Sequence, residues 1–349
     1  MPIVLENVTY IYGEHTPYRK EALKKINLTI NEGDFVGIIG HTGSGKSTLV
    51  QHLNGLLHPT EGTVTVNGVN LADKTEEAKK MRHTVGMVFQ YPEHQLFEET
   101  IAQDIAFGPR NLGVPEEEID ARVREAMEFV GLDYDTYATR SPFQLSGGQM
   151  RRVAIAGVVA LNPNYLILDE PSAGLDPFGR DEIFNRIIDL HRKKGVTVIL
   201  VSHNMEDISR MANRLIVIDD GQIKLDGKPV DIFSNNREAL QATGVDVPPV
   251  VDLMYYLKSR NLNVNVGVSS IDEAVDQIEG LINKNSDTVK STESEKTVET
   301  ENLAKEENPV KTEIQNKTEN QNKTESRTKT GKRMKRSKNR KEGKVSHAD

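Results

Sequence analysis

Residues 40–47 read Gly40-His41-Thr42-Gly43-Ser44-Gly45-Lys46-Ser47, which fits the pattern G-x-x-x-x-G-K-S/T. Few short stretches restrict a fold so strongly. The β-rich run Phe35–Ile39 leads into it, and a helical stretch begins near Lys46. Strand, glycine loop and helix, in that order, are the setting in which such a loop cradles phosphates. The glycines let backbone N–H groups turn toward phosphate oxygens, and the helix N-terminus adds a favourable dipole. Lys46 is then expected to reach the β- and γ-phosphates, and the Ser47 hydroxyl to ligate Mg²⁺. A chance glycine-rich turn would match the spacing but would have no reason to stand between a strand and a helix.

The flanking sequence alternates short β-rich runs with helical stretches from Ile3 to about Leu225. Strands are expected at Val4–Tyr10, Asn27–Ile30, Phe35–Ile39, Thr63–Val66, Val85–Phe89, Tyr165–Leu168, Val196–Val201 and Leu215–Ile218. The continuous apolar runs Tyr165–Leu168 and Val196–Val201 suit parallel strands covered on both faces. Asn67-Gly68, Asp220-Gly221 and Asp226-Gly227 suit hairpin turns in antiparallel parts. Thr100 to Ala160 reads as mostly helical, and Pro115 followed by three glutamates opens a helix running to Val130.

Two further stretches carry chemistry. Tyr165-Leu166-Ile167-Leu168-Asp169-Glu170 is an apolar strand ending in two carboxylates. At such a strand end in a phosphate-loop enzyme an aspartate, here Asp169, holds Mg²⁺. Glu170, one residue on, is placed to orient or deprotonate an attacking water. Leu145-Ser146-Gly147-Gly148-Gln149 lies between the glycine loop and this strand. By itself it reads as a loop before a helix. Its identity to LSGGQ, in this order along the chain, resembles the ABC ATPase superfamily over roughly residues 3–230.

That resemblance implies an α/β fold: a P-loop (RecA-like) core with an antiparallel β subdomain and an α-helical signature subdomain at about 92–160. It implies that ATP is bound by Gly40 to Thr48 of one protomer and by Ser146, Gly147, Gly148 and Gln149 of another. It makes Gln90 a Mg²⁺ and lytic-water contact that couples to a membrane partner, with Ser47 and Asp169 as the other metal ligands. His203 becomes the switch residue at the γ-phosphate, Ser172–Asp176 the loop that communicates across a dimer, and Glu170 the base. Tyr12 is expected to stack on adenine, with Tyr10 on the same strand face as its competitor.

The run Gln90-Tyr91-Pro92-Glu93-His94-Gln95-Leu96-Phe97 is followed by Thr100-Ile101, Asp104, Ala106-Phe107-Gly108-Pro109 and Asn111-Leu112-Gly113. It resembles the ATPase subunits of energy-coupling-factor (ECF) transporters, including cobalt-type importers. The spacer His15–Glu21 and the segment after Pro248 look like the second of the two ATPase paralogues. The implied partners are a second ATPase, a transmembrane scaffold subunit and a small substrate-binding membrane protein, at the cytoplasmic face of the membrane. Another ABC importer or an exporter is the competing reading. A chromosome-type member would carry a long coiled coil, and a translation-type member two motif sets; neither is present.

Composition sets the remaining limits. The chain has no cysteine, which excludes disulfides, thiolate metal sites and cysteine nucleophiles. The opening Met1–Glu6 lacks the basic flank of a signal peptide, and apolar runs such as Val153 to Leu161 reach about half of the ~20 residues of a membrane span. Residues 1–284 hold 28 Lys and Arg against 40 Asp and Glu, an acidic body for which no specific nucleic acid is expected. Residues 285–349 hold 16 against 12 and contain near-repeats of Gln-Asn-Lys-Thr-Glu without aromatics. The expected organisation is an ATPase domain at 1–245, a helical appendage at 246–284 and a disordered tail at 285–349, which has too little apolar surface to offset ordering.

Overall fold

In the structure, a computed structural model that describes residues 2–283, the apolar runs assemble into two sheets. In chain order the strands are β1 (Ile3–Tyr12), β2 (Lys20–Ile30), β3 (Phe35–Ile39), β4 (Glu61–Val66), β5 (Val69–Asn70), β6 (Val85–Val88), β7 (Tyr165–Asp169), β8 (Thr197–Val201), β9 (Arg214–Asp219) and β10 (Gln222–Gly227). An antiparallel sheet has the order β2-β1-β4-β5, and a six-stranded sheet the order β10-β9-β3-β8-β7-β6. In the second sheet β3 runs parallel to β8 and β9, and β7 to β6 and β8; only β10 is antiparallel.

Period-two alternation explains the layering, because successive strand residues face opposite sides. Phe35, Leu166, Leu168, Val198 and Leu200 join a core on one face. Val36, Ile38, Ile167, Ile199 and Val201 join a second core on the other. Covered on both faces, β3, β7 and β8 are buried at every position. The helix α1 (Lys46–Leu53) sends Leu49, Val50 and Leu53 into the second core, which it shares with Ile3, Leu5 and Leu23 of the antiparallel sheet.

The remaining helices are α2 (Glu76–His83), α3 (Ile101–Asn111), α4 (Glu116–Phe129), α5 (Tyr134–Tyr137), α6 (Gly147–Val159), α7 (Pro177–Lys194), α8 (Met205–Met211), α9 (Pro229–Asn235), α10 (Arg237–Ala242) and α11 (Pro249–Ser259). Residues 271–283 are also helical. Helices α3 to α6 fill the stretch read as helical from sequence, with α4 one residue inside the expected bounds at each end. Beyond residue 245, Val247, Val251, Met254, Val266 and Val268 enter the same apolar core as Leu215 and Val217 of β9. The low-complexity tail expected from residue 285 lies outside the described residues.

Two of the three proposed glycine turns hold. Asn67 and Gly68 are both left-handed (φ 55° and 82°) between β4 and β5, as are Asp220 and Gly221 (46° and 73°) between β9 and β10. Asp226-Gly227 is not a turn. Both residues belong to β10, paired with Ile216 and Leu215, and the Asp226 carboxylate takes both arms of Arg214 at 2.7 Å. That ion pair between neighbouring strands gives the aspartate a place within the ladder.

Candidate active site

The parallel strands deliver their loops to one edge of the sheet, outside their carboxyl ends, which is where open α/β sheets bind ligands. From β3 the chain turns through the glycine loop into α1. A Cβ on Gly40 would lie 2.1 Å from the Ile218 carbonyl oxygen, so only glycine fits there. Gly45 caps α1 in the left-handed region (φ 110°) with no side-chain cap, and a Cβ would meet the Ala22 carbonyl at 2.7 Å. The first turn of α1 therefore keeps its backbone donors free. Lys46 is buried, with Nζ donating to the Gly40 and His41 carbonyls at 2.7 and 3.0 Å. The His41 ring turns aside to Asp219 at 3.1 Å, so His41, like Thr42, offers the loop its backbone. Ser44 Oγ is buried without a hydrogen-bond partner.

Asp169 closes β7, and its carboxylate takes a hydrogen bond from the Ser47 hydroxyl. Burial raises its pKa, against that hydrogen bond and the Lys46 charge. Glu170 follows in the left-handed region (φ 53°), held by its N–H to the Val201 carbonyl at 3.0 Å. Such a conformation in a non-glycine residue is strained and is retained only where the surroundings impose it. Burial, and then the Asp169 charge, push the Glu170 carboxyl up to about 7. Its Oε1 is buried with no hydrogen-bond partner, 3.3 Å from Nε2 of His203, whose backbone N–H donates to the same carboxyl group. Burial, and then the Lys46 charge, lower the His203 pKa, so the imidazole is neutral near pH 7. Gln90 is exposed, two residues past the end of β6, and the β6–β7 register carries it to the level of Glu170.

Beside the loop lies a cleft of about 150 Å³ lined by Tyr12, Lys20, Ala22, Gly43, Gly45, Lys46, Ser47 and Thr48. Tyr12 reaches it and Tyr10 does not. Tyr10 packs between the rings of Tyr12 and His52 instead. No sequence motif points to Lys20. It reaches the cleft because β1 and β2 pair Tyr12 with Lys20.

The Leu145–Gln149 stretch opens α6. Ser146 is the N-cap: its Oγ accepts the Gln149 N–H, and the Gln149 side chain accepts the Ser146 N–H, a capping box. Ser146, Gly148 and Gln149 line an open depression of about 480 Å³ together with Gly174, Leu175 and Asp176. Gly147 stands exposed at the first helical position. No residue lines both this depression and the cleft of the glycine loop.

The run after Gln90 divides into a packed part and a displayed part. Glu93 points inward to the buried Arg151 of α6, Oε2 to Nε 3.3 Å. Asp104 of α3 accepts the N–H groups of Phe97 and Glu98, which fixes the loop. Tyr91, Phe97 and Phe107 remain exposed, the two phenylalanine rings meeting edge to face at 4.8 Å.

The ABC transporter family model matches residues 23–173. The solved structure of cbiO1 from Clostridium perfringens, part of the ABC transporter complex cbiONQ, aligns with a TM-score of 0.60 and 35% identity over 72% of this chain and 98% of that one. The ATP-binding cassette MJ0796, in a dimeric post-hydrolysis state bound to ADP and Pi, aligns with a TM-score of 0.59 and 33% identity over 65% and 98%. Fold and site together define an ATP-hydrolysing ATPase of the ABC class. The energy-coupling factor transporter ATP-binding protein EcfA2 of Clostridium perfringens is 53% identical over 286 residues, 82% of this chain and 100% of that protein. The chain belongs to the EcfA2 family of energy-coupling factor transporter ATP-binding proteins.

Proposed function

We propose that the chain is one half of a two-site ATPase sandwich that powers an ECF-type importer of a vitamin or transition-metal ion. The observation that carries the sandwich is the separation of its two clefts: glycine loop and signature helix on one chain share no lining residue. A complete site then needs the glycine loop of one copy and the signature helix of another, and a paralogous ATPase supplies that other copy. Similarity to EcfA2 proteins and to part of a cbiONQ complex supports the transport role. The partners are that second ATPase, a transmembrane scaffold subunit and a small membrane protein that binds the substrate. Exposed Tyr91, next to Gln90 in the chain, and the exposed Phe97–Phe107 pair offer the scaffold apolar surface. Among the described residues no helix is long and apolar enough to cross a membrane. On this reading the chain sits peripherally at the cytoplasmic face and is held there by the scaffold contact, a location its similarity to EcfA2 proteins supports.

Within the site the glycine-loop N–H groups and Lys46 bind the β- and γ-phosphates, and the Tyr12 ring stacks on adenine. Ser47, Asp169 and Gln90 supply a hydroxyl, a carboxylate and an amide, hard oxygen donors suited to Mg²⁺. The bound ion would neutralise charge developing on the transferred phosphoryl group. Glu170 takes the proton of the attacking water. A carboxyl held near 7 is a stronger base than an ordinary carboxylate, and its unsatisfied Oε1 is free to accept. His203 contacts the γ-phosphate, while Ser146 and Gly148 of the opposing copy close over it. Glu170→Gln is expected to lower turnover about 10²–10⁴-fold and to trap an ATP-dependent dimer on size-exclusion chromatography. Turnover close to wild type would remove Glu170 as the base.

A further inference from the structure

Four residues close a circuit between the nucleotide cleft and the first turns of α1. The Thr48 carbonyl accepts a hydrogen bond from Nδ1 of His52 at 2.7 Å. The His52 ring meets the Tyr10 ring edge to face, centroids 4.8 Å apart at 74°. Tyr10 in turn meets Tyr12 at 4.8 Å and 89°. The Tyr12 hydroxyl returns to Thr48, 3.2 Å from Oγ1. Thr48 follows Ser47 directly, so the circuit is anchored one residue from a proposed metal ligand.

Two features set it apart from ordinary packing. His52 is fully buried, and apart from the Thr48 carbonyl its ring has only the backbone of His58 nearby, with no partner for Nε2 in good hydrogen-bond geometry, so an aliphatic side chain there would avoid the cost of a poorly met polar atom. Burial holds the ring neutral, and the Thr48 carbonyl assigns its one proton to Nδ1. What an aliphatic residue could not provide is a flat ring edge for Tyr10 together with a donor for Thr48. Tyr12, for its part, is 41% exposed and sits on the last paired rung of β1 and β2. With nothing behind it, its ring would sample several orientations over the cleft.

We infer that Tyr10 and His52 are positioning residues for nucleotide-base binding, holding the Tyr12 ring at a fixed place relative to the glycine loop. The spacing between base platform and phosphate cradle is then built in before ATP arrives, and binding loses less side-chain freedom. This deepens the reading of Tyr12 as the adenine platform and rests on it.

The test compares equilibrium binding of ATP and of inorganic tripolyphosphate to the full chain. ATP reports platform and loop together, and tripolyphosphate the loop alone. Tyr10→Leu is expected to weaken ATP about tenfold and to leave tripolyphosphate within about twofold, in line with the loss of one aromatic stacking contact. Tyr10→Phe, which keeps the ring, should restore ATP binding. Unchanged ATP binding in Tyr10→Leu, or equal weakening of both ligands, overturns the inference. If the leucine variant does not fold, His52→Gln serves in its place, keeping a donor for Thr48 while removing the ring, and must give the same split. Tyr12→Ala separates the two levels: ATP binding unaffected by that change removes the platform itself rather than its support.

Discussion

Lys20 puts a positive charge on the wall of the nucleotide cleft that no motif announces, and among the described residues it forms no ion pair. A cation there serves polyphosphate better than base. Lys20→Gln is expected to weaken ATP binding about two- to fivefold, the range of an exposed charge contact, and to leave adenosine unaffected in calorimetry. Equal effects on both would place the lysine against the base. The residues proposed to carry the triphosphate chemistry are legible because the loop pattern and the strand-ending Asp169-Glu170 are local in sequence. Lys20 is not, since only the Tyr12–Lys20 rung of an antiparallel pair brings it there. Tyr10 and Tyr12 share one strand face, so the sequence does not separate them; in the fold Tyr10 packs against His52 and Tyr12 lines the cleft. Glu93 stands in the run after Gln90, yet Arg151, far along the chain, holds it inward, a contact no local pattern announces.

At the scale of elements, α6 puts its first turn to two uses. Ser146 satisfies backbone donors as an N-cap, and the same hydroxyl faces the depression proposed to close over a partner's nucleotide. The roles come apart in Ser146→Asn, because asparagine caps as well as serine but lacks the hydroxyl. Stability is expected to stay within a few tenths of a kcal/mol, read by urea unfolding, while ATPase activity of the assembled dimer falls. Full activity would reduce Ser146 to a cap. The strands with alternating or continuous apolar residues were legible from the sequence. β5, with two residues, is too short to show a period, and β10, with its alternating polar face, was hidden by reading Asp226-Gly227 as a turn. Helix α7 begins at Pro177, directly after the loop Ser172–Asp176, whose last residue Asp176 serves as its N-cap.

For the molecule as a whole, the segment after 245 is tied to the sheet by a shared apolar core. Met254 is fully buried within it. Met254→Ala is therefore expected to destabilise the folded body by about 2–5 kcal/mol, with one cooperative urea transition rather than separate loss of an appendage. Two transitions, with ATP binding surviving the first, would make the segment a domain of its own. Residues 285–349 lie outside the described residues. The Clostridium perfringens relative is matched along its entire length by 286 residues, so the rest of this chain has no counterpart there. Deleting 285–349 is expected to leave ATPase activity unchanged, and its loss would refute that expectation.

The separation of the two clefts also has a genetic meaning. In the proposed sandwich, a defect in Lys46 would silence the site on its own chain, whereas a defect at Gly148 would silence the site on its companion. Paired with an altered companion, the same lesion would be complemented or compounded according to which cleft each chain had lost. Alleles of this gene would therefore sort into two groups that behave oppositely in trans, and the sorting needs no structure to observe.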